Sequence, residues 1–264
     1  MSSPPKSILN DIYEFLKWPD RQIERLPLDL ESFARLVGVH YLFLLAAVVI
    51  LSIGNFVFSI DQLDHSIEDL IDNASPVMFI FYLAVLAPIL EEIIFRFPLR
   101  FRRGSLFIVL MILTLLAYFI AASYMNPNLH LLPEESLASL QESGFVPNIS
   151  AIFISTLVFT LGLLMIFLMT ISHRTLENIG RLIDRLFPYI FYASAMIFGY
   201  VHFSNFTGDM KWFWIPLLII PQFMMGLVMG YARLRFGMLS NIMLHAVNNL
   251  IPGLVMLATF SMGE

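Results

Sequence analysis

Apolar residues recur along the chain in seven runs of roughly 17–25 residues, the length at which a helix crosses the hydrocarbon core of a bilayer. They occupy residues 38–58, 75–97, 104–124, 150–172, 188–205, 212–231 and 237–260. Ahead of the first run, "SILNDIYEFLKWP" at 7–19 predicts a short interfacial helix. The amphipathic "RTLENIGRLIDRLF", 174–187, predicts a backward extension of the short fifth run. The longest connection, 125–149, carries prolines and a glycine that predict turns around a short helix near 133–142. The expected fold class is therefore all-α: a polytopic transmembrane bundle of about seven spans plus an N-terminal interfacial helix. The expected division is a cytoplasmic or interfacial segment, 1–37, and a single bundle, 38–264.

Composition agrees with that pattern. The 264 residues are 58% apolar and 13% charged, whereas a soluble domain is about half apolar and a quarter charged. There is no cysteine, which excludes disulfides, thiolate metal sites and a cysteine nucleophile. The net charge of −5 offers no basic surface for nucleic acid. The polar N-terminal stretch contains no apolar core of a cleavable signal.

Charge also sets orientation. Of the fifteen Lys and Arg residues, all but Lys211 fall in the N-terminal segment, Arg96 to Arg103, Arg174 to Arg185, or at Arg233 and Arg235. With seven spans these lie on one side. The opposite loops are acidic, at Asp61, Asp64, Glu68, Asp69, Asp72, Glu134, Glu135 and Glu142. The positive-inside rule then puts the N-terminus inside and the C-terminus outside.

Three apolar runs contain ionisable groups. "LAPILEEIIFRF", 86–97, holds Glu91, Glu92 and Arg96. Glu92 and Arg96 are four apart, share a helix face and can neutralise each other. Glu91 sits about 100° round the helix and is not consumed by that pair. "MIFGYVHFSNF" places Phe198 four residues before His202. "NIMLHAVNN" places His245 four before Asn249, with Asn241 on the same face. The other histidines, His40, His65, His130 and His173, read as lying at or outside the membrane boundary. Polar groups at membrane depth face a bundle interior or a water-filled cavity, so these three runs converge on a candidate site. A carboxylate and an imidazole can deprotonate a shared water. A second imidazole and a carboxamide can donate to an oxyanion. Glu91, His202 and His245 are equally an alternative ligand set for zinc or another divalent metal, although no H-E-x-x-H is present.

E-E-x-x-x-R at Glu91–Arg96, F-x-x-x-H at Phe198–His202 and H-x-x-x-N at His245–Asn249, in that order, resemble the signature of the CPBP family. These are the CAAX-processing and bacteriocin-processing (Abi) glutamate-dependent intramembrane endopeptidases, related to the Ras-converting CAAX endopeptidase. The segment 223–249, with Gly226 and Gly230, is similar to the family's last core region. The resemblance covers 75–104 and 188–255 and implies a catalytic core there, with 104–172 as an inserted helix pair. It implies Glu91 as the base, assisted by His202, with His245 and Asn249 as oxyanion donors. Glu92, Arg96 and Phe198 would support the site. No cofactor is implied. The partners implied are membrane lipid and a membrane-associated peptide or protein, of prenylated CAAX or bacteriocin type, and the expected location is the plasma membrane. The chain departs from the family at Phe97-Pro98, where proline should kink or end the helix.

Two other function classes fit a polar cluster in a bundle. One is a non-catalytic scaffold or bacteriocin-immunity protein, which has no need of all four catalytic groups. The other is a proton-coupled transporter, which should show repeated halves; the sequence has no internal repeat.

Overall fold

Helix α1, Ile8–Lys17, begins where the Ser7 hydroxyl accepts the Asn10 N–H at 3.2 Å. In the computed structural model, which describes residues 7–58, 64–65, 75–129, 149–203, 206–207 and 214–263, this helix buries Ile12 and Phe15 against the bundle. Asp11 accepts from Tyr231 Oη at 2.6 Å and lies 3.0 Å from Arg235 Nε. The expected interfacial helix is thus docked by one face and open on the other.

Helix α2, Leu30–Phe58, starts eight residues before the first apolar run. Asp29 caps it by accepting the Ser32 N–H at 2.7 Å, and that bond holds the Asp29 carboxyl below its ordinary range. Glu31 and Arg35 pair along the first turns. Hydropathy marks the lipid-spanning part of a helix, not its polar first turns, so the run at 38 was late by two turns.

The chain divides into two compact units, 1–100 with 181–264, and 101–180. The second covers the stretch read as an inserted helix pair. It holds α5, Arg103–Leu129, and α6, Ile149–Thr170. The Arg103 guanidinium donates to the carbonyls of Met169 and Ile171, at 3.4 and 3.1 Å, closing the C-terminal end of α6. The helix expected near 133–142, His130, Lys211 and the acidic loop positions other than Asp64 lie outside the described residues.

The first unit contains α3, Pro76–Phe81, a π-helical turn, Tyr82–Leu86, and α4, Ala87–Phe95. These follow a two-residue strand β1, Asp64–His65. Helix α7, His173–His202, runs unbroken through Pro188, merging the amphipathic stretch with the fifth apolar run. Strand β2, Phe206–Thr207, pairs antiparallel with β1, Asp64 facing Thr207. A short α8, Ile215–Leu218, and α9, Ile220–Arg235, replace the single sixth run because Pro216 and Pro221 each start a new helix. Gly237, at φ 109°, makes the left-handed turn into α10, Met238–Gly263.

Among the described residues, most of each of the seven runs is helical. Among the described residues four helices are long and apolar enough to span a membrane: 30–57, 76–99, 173–202 and 238–259. Two more, 103–118 and 155–170, are apolar but shorter over the described side chains. Large apolar side chains stand exposed along these helices, including Phe56, Val77, Val158, Phe159 and Met169. A surface that apolar is suited to lipid, not water; the protein is an integral membrane protein.

Helix α9 differs from the rest. Every position from Met225 to Leu234 is buried, so protein surrounds it. Its glycines allow this. A Cβ at Gly226 would meet the Ala195 Cα at 3.1 Å, and one at Gly230 would meet the Phe191 ring at 2.6 Å. Gly199 approaches the Ile219 carbonyl in the same way, at 3.1 Å. Contacts step back along α7 as they step forward along α9, so the two helices run antiparallel at small-residue spacing.

Candidate active site

The site begins with a break in helix geometry. In the π-helical turn the Ala87 N–H bonds the Tyr82 carbonyl, five residues back. The next pair in that register would be residue 88 with Leu83, and Pro88 has no N–H to give. The Leu83 carbonyl instead accepts from Asn249 Nδ2 at 3.0 Å. An extra residue in a turn shifts the phase of everything after it, which here includes both glutamates. Helix α4 then stops at Phe95, and Phe97–Leu99 tightens into a 3-10 turn around Pro98, the expected helix end.

Glu92 is fully buried. Its Oε1 accepts from His245 Nδ1 at 2.8 Å, and its Oε2 accepts from Asn241 Nδ2. Arg96 Nε stands 3.7 Å from the same Oε2. The i,i+4 pair read from the sequence therefore exists, but the hydrogen bonds of Glu92 go to α10. A charged group at membrane depth costs about 2.5–3.5 kcal/mol. Hydrogen bonds to a charged group return about 1.5–3 kcal/mol each, so the two bonds to α10 and the nearby guanidinium offset the cost of burying this side chain.

Phe198 organises the other side. Its ring lies 4.3 Å from that of His202 and 6.0 Å, edge on, from that of His245. The Arg96 guanidinium carbon sits 3.7 Å above the same ring. Arg96 is itself buried, and its two terminal nitrogens have no hydrogen-bond partner among the described residues.

His202 Nδ1 donates to the Phe198 carbonyl at 2.8 Å, which leaves Nε2 to face Glu91. Glu91 Oε2 lies 3.4 Å from His202 Nε2 and 3.6 Å from His245 Nε2. At those separations neither contact is a direct hydrogen bond. Glu91 keeps 26% of its side-chain surface open and His202 keeps 15%, against 1% for His245. One carboxylate oxygen, itself buried and without a hydrogen-bond partner among the described residues, thus stands between two imidazole nitrogens, on a side chain that is still partly exposed.

The structure brings Glu91, Glu92, Arg96, Phe198, His202 and His245 together, with Asn249 one turn beyond His245 on α10. It also adds residues. Asn241 bonds Glu92 directly, and Arg233 Nε donates to the Arg96 carbonyl at 3.2 Å. His40, read as a boundary histidine, is fully buried, and its Nε2 lies 2.9 Å from Asn248 Oδ1. Its signal was present: counted from Leu30, it lies nearly three turns inside α2. Among the described residues no group of three His, Cys, Asp or Glu side chains has the arrangement of a metal site.

Residues 166–251 match the family model described as type II CAAX prenyl endopeptidase Rce1-like, in agreement with the family the motifs resemble. The matched stretch contains Phe198, His202, Asn241, His245 and Asn249; Glu91, Glu92 and Arg96 lie outside it and meet it only in the fold. No curated protein and no solved structure matches the chain.

Proposed function

We propose that the protein is a glutamate-dependent intramembrane endopeptidase that cleaves a membrane-associated substrate of prenylated CAAX or bacteriocin type. One observation carries this reading: Glu91 Oε2, a buried oxygen with no hydrogen-bond partner among the described residues, stands within 3.4 and 3.6 Å of the Nε2 atoms of His202 and His245, on a side chain that is still partly exposed.

The residues support a water-based mechanism. Glu91 and His202 bind a water, and Glu91 takes its proton as the oxygen attacks the scissile carbonyl. A C–O bond forms and the carbonyl π electrons move to oxygen. His245, with Nδ1–H held by Glu92, presents Nε2–H to that oxyanion when both ring nitrogens are protonated. Asn249 presents an amide N–H to the same atom. Collapse breaks the C–N bond, and Glu91 returns its proton to the leaving amine. Glu92, Asn241, Arg96 and Phe198 hold the imidazoles in place. The basic segments face the cytoplasm, and the plasma membrane is the proposed location.

The test is product analysis with purified protein. A farnesylated peptide ending in a CAAX sequence and a bacteriocin leader peptide are each incubated with it, with and without a divalent-metal chelator. Cleavage of at least one that persists with chelator supports the reading. Chelator-sensitive cleavage replaces it with a metal mechanism through Glu91, His202 and His245, and cleavage of neither removes the substrate class.

A further inference from the structure

The polar groups on α10 do not end at Asn249. Asn248 Nδ2 donates to Asn249 Oδ1 at 3.2 Å, and Asn248 Oδ1 lies 2.9 Å from His40 Nε2. With the Asn249 bond to the Leu83 carbonyl, four groups form one line: His40, Asn248, Asn249, Leu83. They come from α2, α10 and the π-helical turn. Tyr41 Oη reaches the neighbouring Val247 carbonyl at 3.4 Å, so α2 holds α10 at two successive residues.

The direction of this line follows from its last member. A backbone carbonyl can only accept, so Asn249 must turn its NH2 toward Leu83. Its oxygen then faces Asn248, which must answer with its own NH2. The Asn248 oxygen is thereby turned to His40, and His40 must carry its proton on Nε2. Amide orientations are otherwise two-fold ambiguous; here the carbonyl orphaned by Pro88 resolves both. His40 Nδ1 is buried without a partner among the described residues, consistent with an unprotonated nitrogen.

We propose that His40 and Asn248 are positioning residues that act through Asn249, fixing its carboxamide so that the N–H not spent on Leu83 is the one offered to the oxyanion. This rests on the reading of Asn249 as an oxyanion donor. Without His40, Asn248 could rotate its amide, and Asn249 would lose the donor that holds its oxygen away from the reacting carbonyl. Neither His40 nor Asn248 touches substrate.

Two measurements test this separately from the protease reading. Nitrogen-15 spectra of histidine-labelled protein, with the His40 signal assigned by its loss in His40→Gln, should show protonation on Nε2 alone, and Asn248→Leu should move that signal. A proton on Nδ1, or a signal indifferent to Asn248→Leu, overturns the relay whatever the assays show. In cleavage of the farnesylated CAAX peptide, His40→Phe and Asn248→Asp should each lower kcat by about 10- to 100-fold, with KM changed by less than about threefold. Asp keeps the acceptor for His40 but cannot donate to Asn249. His40→Gln, whose Nε2–H replaces that of the imidazole, should recover most of the rate. His40→Phe added to Asn249→Ala should cost nothing more; multiplying effects would mean that His40 does not act through Asn249. If Glu91→Gln leaves cleavage intact, the catalytic reading fails while the spectra still decide the relay.

Discussion

Glu92 accepts a 2.8 Å hydrogen bond from His245 Nδ1 across two helices, while its own-helix neighbour Arg96 stays at 3.7 Å. The buried carboxylate is therefore first a partner of the histidine. Replacing it separates structural from chemical roles. Glu92→Ala strips the acceptor from His245 and Asn241 and leaves Arg96 buried and unbalanced, a loss of about 3–5 kcal/mol. Glu92→Gln keeps a neutral oxygen for His245, so it should retain more stability while lowering kcat. Thermal unfolding in detergent, set beside cleavage rates, reads both.

Phe198 is a second shared support, since one ring meets His202, His245 and Arg96. Phe198→Leu keeps most of the volume but removes the π face beneath the guanidinium. Loss of stability by about 1–2 kcal/mol is expected, with a fall in kcat larger than any change in KM. Equal activity in the variant would deny the ring a role in holding the imidazoles.

Gly226 and Gly162 should respond in opposite directions to an added methyl. At Gly226 a Cβ meets the Ala195 backbone at 3.1 Å, which cannot retreat without moving α7 and its His202. Gly226→Ala should cost about 1–3 kcal/mol and reduce cleavage. At Gly162 nothing lies within 4 Å, and alanine in mid-helix should add about 0.5–1 kcal/mol. Paired melting curves check the contrast.

Orientation is open to direct labelling because the chain has no cysteine. A single cysteine at Ser2 should react with a membrane-impermeant thiol reagent only after the cytoplasmic side is exposed. One at Glu264 should react from outside. The reverse pattern would contradict the proposed topology.

Much of the site was legible because its residues repeat at the spacing of one helix turn. Glu92–Arg96, Phe198–His202 and His245–Asn249 each show one face of one helix, and a short polar group in an apolar run is conspicuous. Relations between helices were not legible. The i,i+4 rule sees only its own helix, so it paired Glu92 with Arg96 and missed His245 and Asn241. His40 was discounted because the apolar run begins at 38, although the helix begins at Leu30. The role of Asn248 needed the π-helical turn, whose orphaned Leu83 carbonyl follows from Pro88 only once the register is known. Helix α9 read as one more lipid span, since burial on all sides and exposure to lipid both select apolar residues.

The central claim is that Glu91 activates water. Its most direct test is the single-turnover rate of purified Glu91→Gln against wild type on the peptide that wild type cleaves. Glutamine keeps the size and one oxygen but cannot take the proton, so the rate should fall by at least about 10²–10⁴-fold, with the fold intact by thermal unfolding. A Glu91→Gln protein that cleaves at the wild-type rate would contradict the account.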